Sequence, residues 1–273
     1  MAQPPTLTDR SALRRNRARA ARAPADFLHM AAVDEIKDRL SLVNKSFTAP
    51  AIVSGQAACW QAAFPDAIIV PDDETLDLNP GAHDLVIHAL ALHWANDPVG
   101  QIIQCRRALR PDGLLLAVLF GGETLHQLRA ALAQAESEVT GGLSPRVAPM
   151  GEIRDLGALL QRAGLALPVA DTVALTASYT GLHALIHDLR AMGETSALAA
   201  RPRHFTRRAV LERAEHHYRQ AFGDADGRIP ATFDLVFLTG WAPDASQPKP
   251  LRPGSAAARL ADVLGTDETR LDD

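Results

Sequence analysis

The apolar run from Leu114 to Phe120 is the feature that most constrains the fold. It contains no polar residue, and it lies between the turn-forming residues Arg110-Pro-Asp-Gly113 and the pair Gly121-Gly122. A run of this length between turn residues is typical of a strand that is buried on both faces, because a half-exposed strand would alternate polar and apolar side chains. Such strands belong to parallel sheets that are covered by helices on both faces. We therefore expect an α/β fold.

Strands and helices are predicted to alternate along most of the chain. Predicted strands lie at 51–53, 67–70, 84–89, 114–120, 169–177 and 232–241. Predicted helices lie at 27–43, 57–64, 98–109, 123–139 and 153–163, and a mostly helical insert lies at 182–222. Alternation of this kind indicates a parallel sheet with its ligand site at the carboxyl ends of the strands. The last two strands have a long connection between them and predict an antiparallel hairpin at one edge.

Positive charge is concentrated at the start of the chain, although the whole chain has a net charge of −4. The clustered arginines are Arg10, Arg14, Arg15, Arg17, Arg19 and Arg22. We interpret the segment as a basic helix with three alternative roles: a solvated face, a patch for nucleic acid or an acidic membrane, and a docking helix for a protein partner. Specific nucleic-acid binding is not expected, because no aromatic residues are interleaved and no nucleic-acid motif is present.

Composition excludes several other classes of protein. With 273 residues, 47% of them apolar, the chain suits an ordinary globular core. The longest apolar runs are far shorter than the roughly 18 to 20 residues of a membrane-spanning helix, so no such helix is predicted. Cys59 and Cys105 are too few for a disulfide framework, and no Cys/His cluster has the spacing of metal ligands. We expect no metal.

Several motifs resemble those of known families. The segments Asp84–Trp94 and Arg106–Gly113 resemble the strand 4 to strand 5 signature of class I S-adenosylmethionine (SAM)-dependent methyltransferases. Shorter motifs resemble the methyltransferase-like assembly factors of respiratory complex I, and a more distant similarity is to malonyl carrier-protein methyltransferases. The shorter motifs are Asp9-Arg10 through Arg19-Ala20, Phe120–Leu125, Gly142–Pro145, Asp155–Gly157, Arg162–Gly164 and Met192–Glu194.

The resemblance, which covers roughly residues 8–241, implies a Rossmann-like methyltransferase fold, SAM as cofactor and a complex I subunit as protein partner. Members of the assembly-factor family are associated, in eukaryotes, with hydroxylating an arginine of a complex I subunit. It thus implies a protein that modifies or chaperones such a subunit. Two alternatives stay open: a non-catalytic assembly factor that has lost SAM binding, and a small-molecule or carrier-protein O-methyltransferase.

The element pattern, the Pro/Ala/Ser/Asp-rich composition of the last residues and the resemblance together predict an organisation and a location for the chain. We expect basic N-terminal helices at 1–49 packed on the core, a methyltransferase-like domain at 50–242, and a mobile tail at 243–273. The arginine-rich start would then belong to the mature domain rather than to a cleaved transit peptide. We expect a bacterial cytoplasmic protein, with contact to the inner membrane and the oligomeric state left open.

The residues that the resemblance assigns to the cofactor are Gly55, Asp72, Asp73, His88 and Ala89. Alternatives stay open: Gly55 as a plain turn glycine, and Asp72 and Asp73 as a solvated turn, as acids that meet the adenine, or with one of them in place of the ribose-binding acid. Gly55 is the one glycine in a turn where the family has several, although glycine is what allows a cofactor to approach the backbone. Only seventeen positions separate Gly55 from Asp72, whereas a βαβ unit takes about thirty residues. This interval has room for one helix and one strand, so we predict a sheet that is one strand short.

Five further residues are assigned to the substrate: His93, Trp94, Gly122, Ser144 and Arg146. His93 is a candidate general base, since its ordinary pKa lies close to neutral, and the loop with Ser144 and Arg146 is expected to cover the cleft. Apart from this candidate, the catalytic residues are left unassigned, because methyl transfer mainly requires that the acceptor be aligned with the methyl group.

Overall fold

The structure is a computed structural model that describes residues 6–248. Its strands are β1 (Pro50–Val53), β2 (Ile68–Val70), β3 (His83–Ala89), β4 (Leu109–Gly121), β5 (Ala166–Tyr179) and β6 (Ile229–Trp241). Its helices are α1 (Arg10–Ala20), α2 (Phe27–Leu42), α3 (Ala57–Ala63), α4 (Pro98–Ala108), α5 (His126–Thr140), α6 (Ile153–Arg162), α7 (Leu182–Ala191) and α8 (Arg208–Phe222). A short 3-10 helix covers Leu92–Trp94.

The six strands form one sheet in the order β2-β1-β3-β4-β6-β5. Strands β1, β2, β3 and β4 are parallel to one another, whereas β6 is antiparallel to both of its neighbours, β4 and β5. The prediction of a mainly parallel, Rossmann-like sheet with an antiparallel hairpin is therefore confirmed. The chain between β1 and β3 holds only α3 and β2, so the sheet is one strand short, as the interval predicted.

Both faces of the sheet are covered, as the apolar run in β4 predicted. Ile52, Ile87 and Leu116 belong to the cluster on the face that packs against α2, α3, α5 and α8. Their neighbours Val86 and Leu115 belong to the opposite cluster, which includes residues of α4 and α6. This alternation follows from the strand period of two, because successive side chains point to opposite faces.

Helix α1 packs at the carboxyl edge of the sheet. Ala12 and Leu13 form a small separate cluster with Trp94, Ala197 and Leu198. The helix begins after Asp9, whose side chain accepts a hydrogen bond of 3.0 Å from the Ala12 N–H, as an N-cap does. The basic segment is thus a helix, and its position brings its arginines to the edge where the predicted site residues lie.

Two local predictions differ from the structure. The turn expected at 110–113 is an irregularity inside β4, where Asp112 takes a positive φ of 57° and the pairing with β3 shifts. The helix expected from Glu123 begins at His126 instead. Leu125, with φ 54°, closes a turn in which the Thr124 N–H donates to Gly121 O. A residue in the left-handed conformation cannot be part of a right-handed helix, so α5 cannot extend past Leu125 towards the N-terminus.

The chain divides into a compact unit that ends at Pro243 and a second unit from Asp244 onward. The tail predicted for 243–273 lies, beyond residue 248, outside the described residues. Among residues 6–248, no helix has the length and apolar character that a bilayer crossing needs.

Candidate ligand site at the carboxyl edge of the sheet

Two cavities border the carboxyl ends of the parallel strands. The first, called here the cofactor-side cavity, has a volume of about 610 Å³ and is lined by Gly55, Asp72, Asp73 and arginines of α1. The second, called the apolar cavity, has a volume of about 340 Å³ and is lined by His93, Trp94 and many apolar side chains. The predicted edge therefore does carry cavities, and six of the ten predicted site residues line one or the other.

The cofactor-side cavity contains a buried ion pair. Arg17 Nη1 lies 2.7 Å from Asp72 Oδ1, and the two side chains are only 9% and 5% exposed. Arg10 Nη1 lies 3.2 Å from the other carboxylate oxygen, Oδ2, so both oxygens of Asp72 are paired. Burial by itself would raise the pKa of Asp72, but the Arg17 and Arg10 guanidinium groups more than offset it and the pKa is lowered.

The same arginine covers the glycine of the turn after β1. A Cβ placed on Gly55 would lie 1.9 Å from Arg17 Nη1, so the guanidinium rests directly against the backbone there. In the family resembled, this face of the turn is where the cofactor approaches. Because two arginines occupy the carboxylate of Asp72 and the guanidinium of Arg17 fills the space over Gly55, the residues in this arrangement do not fit SAM.

Asp73 is more exposed than Asp72, and its carboxylate lies 2.7 Å from Arg14 Nη2. The other two predicted cofactor residues, His88 and Ala89, line neither cavity. His88 is fully buried beneath α4, where Nε2 lies 2.7 Å from Gln101 Oε1, and burial lowers its pKa to about 4. Since the side chain points to a covered face of the sheet rather than to its edge, the structure gives it no path to a cofactor.

The apolar cavity has one polar end. Glu194 Oε2 accepts a hydrogen bond of 2.7 Å from Trp94 Nε1 and lies 3.1 Å from His93 Nε2. Burial would raise the pKa of the Glu194 carboxyl, yet His93, Arg17 and the Trp94 N–H together lower it. The Phe120 ring packs against the His93 ring in an edge-to-face contact, with ring centroids 4.9 Å apart. This end therefore holds an ionised carboxylate inside largely apolar walls.

Two atoms at this polar end lack partners. Glu194 Oε1 and His93 Nδ1 are both buried without a hydrogen bond to any described residue. An unsatisfied buried acceptor costs free energy that a bound donor would recover. The cavity thus suits a ligand with an apolar body and a hydrogen-bond donor or cation at its end.

The three remaining predicted substrate residues are placed differently from one another. Arg146 lines the apolar cavity, held by Glu136 at 2.7 Å and by Thr206 Oγ1 at 2.8 Å. Ser144 is not among the lining residues; its backbone N–H and hydroxyl donate to the Glu136 carboxylate. Gly122 is also outside the lining, in the turn after β4, where its φ is 51° and a Cβ would lie 2.5 Å from Asp234 Oδ2. For Ser144 and Gly122, the predicted contacts are therefore replaced by structural roles.

Sequence reasoning missed Glu194 and the role of Arg17. Glu194 belongs to the motif Met192-Gly-Glu194, which carried a resemblance but suggested no role, because its partner His93 lies 101 positions earlier in the chain. Arg17 was one of six similar arginines, and its pairing with Asp72 spans 55 positions. No local spacing signals either contact.

Residues 18–117 match a family model described as "Methyltransferase domain". The chain carries a methyltransferase domain. It is homologous to "Arginine-hydroxylase NDUFAF5, mitochondrial": the protein from Dictyostelium discoideum is 39% identical over 71% of this chain and 45% of its own length. The protein of that name from Homo sapiens is 34% identical over 81% of this chain and 64% of its own length.

A further relative is "Malonyl-[acyl-carrier protein] O-methyltransferase" from Laribacter hongkongensis, which is 35% identical over 69% of this chain and 61% of its own length. In all three relatives, this methyltransferase-domain chain spans less than two thirds of the relative's length. Homology with these proteins confirms the family resemblance, and SAM is supported at the level of that family.

Replacing Glu194 by leucine is expected to lower the free energy of unfolding by about 2–3 kcal/mol. The change leaves the Trp94 N–H and His93 Nε2 buried without an acceptor. Glu194→Gln keeps one carbonyl acceptor and is expected to cost less than about half as much. Urea denaturation followed by circular dichroism measures both. Glu123→Leu, at a glutamate that is 69% exposed, is the matched control and should stay within about 0.5 kcal/mol of the wild type.

Proposed function

We propose that this methyltransferase-domain protein is an assembly factor that holds a segment of a respiratory complex I subunit in its apolar cavity, without using SAM. The proposed place of action is the bacterial cytoplasm. The observation that carries the proposal is the Arg17–Asp72 pair: a guanidinium of the chain itself rests on Gly55 and neutralises the carboxylate that a cofactor would need.

The names of the eukaryotic relatives point away from methyl transfer. These relatives are named arginine-hydroxylases rather than methyltransferases. The assembly role is implied by the family resemblance, which includes the basic start that forms α1. This chain keeps the fold, but Arg17 occupies its cofactor-side cavity. We expect that combination in a protein that is selected for binding a partner and not for methyl transfer.

A second candidate is modification of an arginine of the bound subunit, and Glu194 favours it. Its unpaired Oε1 lies at the end of an apolar cavity, which matches an arginine with its aliphatic stem along the walls and its guanidinium at the carboxylate. Within the described part of the chain, no cluster of three or more His, Cys, Asp or Glu side chains has metal-binding geometry. The residues present support recognition of an arginine, and we assign no reaction step to them.

Calorimetric titration of the folded protein with SAM and with S-adenosylhomocysteine tests the proposal. We expect no binding by the wild type, because binding would require Arg17 to leave both Gly55 and Asp72. Arg17→Ala is the matched variant: weak binding gained there would identify the guanidinium as the obstacle. Micromolar binding by the wild type would contradict the proposal and favour a methyltransferase, including one that acts on a carrier protein.

Deletion of the gene tests the assembly role separately. We expect less assembled complex I in membranes from the deletion strain. Both the wild type and Arg17→Lys should restore it, since the lysine side chain retains a positive charge beside Asp72. An unchanged complex I level would contradict the assembly role, whatever the calorimetry shows.

A further inference from the structure

A basic groove opens beside the apolar cavity. It has a volume of about 390 Å³ and is lined by α1, by the loop with Arg146 and by the segment 195–206. The residues that line both the groove and the apolar cavity are Arg146, Thr195, Ser196 and Thr206. The two spaces are therefore adjacent, and one ligand can reach both.

The groove has positive charge that the described chain does not balance. Arg201 is paired with Asp9 at 2.9 Å, and Arg146 is paired with Glu136. By contrast, neither Arg15 nor Arg19 has a carboxylate of residues 6–248 within 4.0 Å. Both are exposed on the face of α1 that lines the groove. Arg19 Nη2 also donates to Asn16 Oδ1 at 2.6 Å, but this neutral partner leaves the charge unbalanced, so both guanidinium groups can attract an anion.

Unpartnered polar atoms mark the boundary between the groove and the apolar cavity. Arg146 Nε, Thr195 Oγ1 and Ser196 Oγ are buried and have no hydrogen bond to the described residues. The Arg146 Nε–H can only donate, and each hydroxyl can donate as well. These donors face no acceptor within residues 6–248, although they lie next to the unbalanced arginines. A carboxylate bound at this boundary would supply the missing acceptors.

We propose that the basic groove binds an acidic side chain of an extended partner segment whose neighbouring apolar residue enters the apolar cavity. This proposal rests on the proposed function and names the chemistry of the partner. Phe205, at the rim between the lining residues His204 and Thr206, is 99% exposed, and an exposed aromatic residue beside a groove is typical of a protein interface. The ligand is thus a peptide with a carboxylate and an aliphatic side chain close together.

Charge and shape favour a peptide over a bilayer or a nucleic acid. The unpartnered donors lie inside a concave space, where a side chain can enter but a flat headgroup layer cannot. The charge of Arg201 and Arg146 is already balanced, since they pair with Asp9 and Glu136. Two unbalanced positive charges, on Arg15 and Arg19, suit a single carboxylate better than a continuous row of phosphates.

Fluorescence anisotropy with a labelled peptide tests this inference. The probe is a fluorescein-labelled Gly/Ser-rich peptide with Glu-Leu-Glu at its centre, and the control peptide has Lys-Leu-Lys instead. We expect the full-length wild type to bind the acidic peptide more tightly than the basic one. The double variant Arg15→Glu/Arg19→Glu should weaken this binding at least about tenfold, because two attractive contacts become repulsive.

Arg22→Glu is the matched control, since Arg22 is exposed just beyond α1 and does not line the groove. We expect it to change the affinity by less than about twofold, and thermal unfolding verifies that every variant is folded. Equal affinity for both peptides, no binding of either, or an equal loss in Arg22→Glu would overturn the inference. The inference would also be overturned if the double variant bound the acidic peptide as the wild type does and lost only its co-sedimentation with phosphatidylglycerol vesicles. SAM binding is read separately by calorimetry, so failure of the proposed function is distinguishable from failure here.

Discussion

Asp72→Ala is expected to lower the free energy of unfolding by about 3–5 kcal/mol. Asp72 is the common partner of Arg17 and Arg10, and the Arg17 side chain is only 9% exposed. Removing one partner of a buried ion pair leaves an uncompensated charge, which costs more than the pair itself contributed. Urea denaturation at neutral pH measures the loss, and the same variant should release α1 from the turn after β1.

Asp73→Ala is the matched control for this variant. Asp73 is the next residue, but its side chain is 42% exposed and it pairs with the exposed Arg14. An exposed pair contributes at most about 1 kcal/mol, so the control should remain close to the wild type. The double variant Arg17→Met/Asp72→Ala should recover part of the loss, since no unpaired charge at position 17 remains. Equal losses in Asp72→Ala and Asp73→Ala would contradict a buried pair.

The free energy of unfolding is also expected to fall as the pH is lowered from 7 towards 4. Burial lowers the pKa of His29 and of His88 to about 4, from an ordinary value of 6.5. His29 Nδ1 accepts a hydrogen bond of 3.0 Å from Trp60 Nε1, which requires that this nitrogen be unprotonated. The unfolded chain therefore takes up these protons first, and stability is lost between pH 6.5 and 4, up to about 3 kcal/mol for each histidine.

Urea denaturation at several pH values between 7 and 4.5 measures this loss. Carboxylates with lowered pKa, such as Glu136 at about 2, begin to lose their contribution only as the pH approaches their ordinary value of 4.5, so the loss between pH 7 and about 5.5 belongs to the histidines. His29→Gln and His88→Gln should each reduce the proton uptake on unfolding by about one. A stability that is constant from pH 7 to 4.5 would show that neither histidine is held neutral.

The order of strands and helices could be predicted from the sequence because it is a local property. The apolar run in β4 and the period of the helices depend on neighbouring residues alone. The missing strand was predictable as well, since the interval from Gly55 to Asp72 is too short for a second βαβ unit. Even the edge of the sheet that carries the cavities followed from the fold class.

The side chains of the site were predicted less completely. His93, Trp94 and Arg146 line the apolar cavity, and their contact with a substrate stays a prediction, whereas Ser144 and Gly122 support its surroundings. A resemblance places a residue on a loop or at a strand end, whereas the direction of its side chain depends on what packs against it.

The sequence by itself therefore determined the class of fold, the shortened sheet and the family. Only the tertiary structure decided that Arg17 rests on Gly55 and pairs with Asp72, and that Glu194 meets His93 and Trp94. The two pairings join residues that are 55 and 101 positions apart, and they depend on α1 and on the residues after α7 packing at the carboxyl edge. The free energy of such contacts depends on which distant charges are brought together and how far they are buried, and no local sequence pattern indicates either.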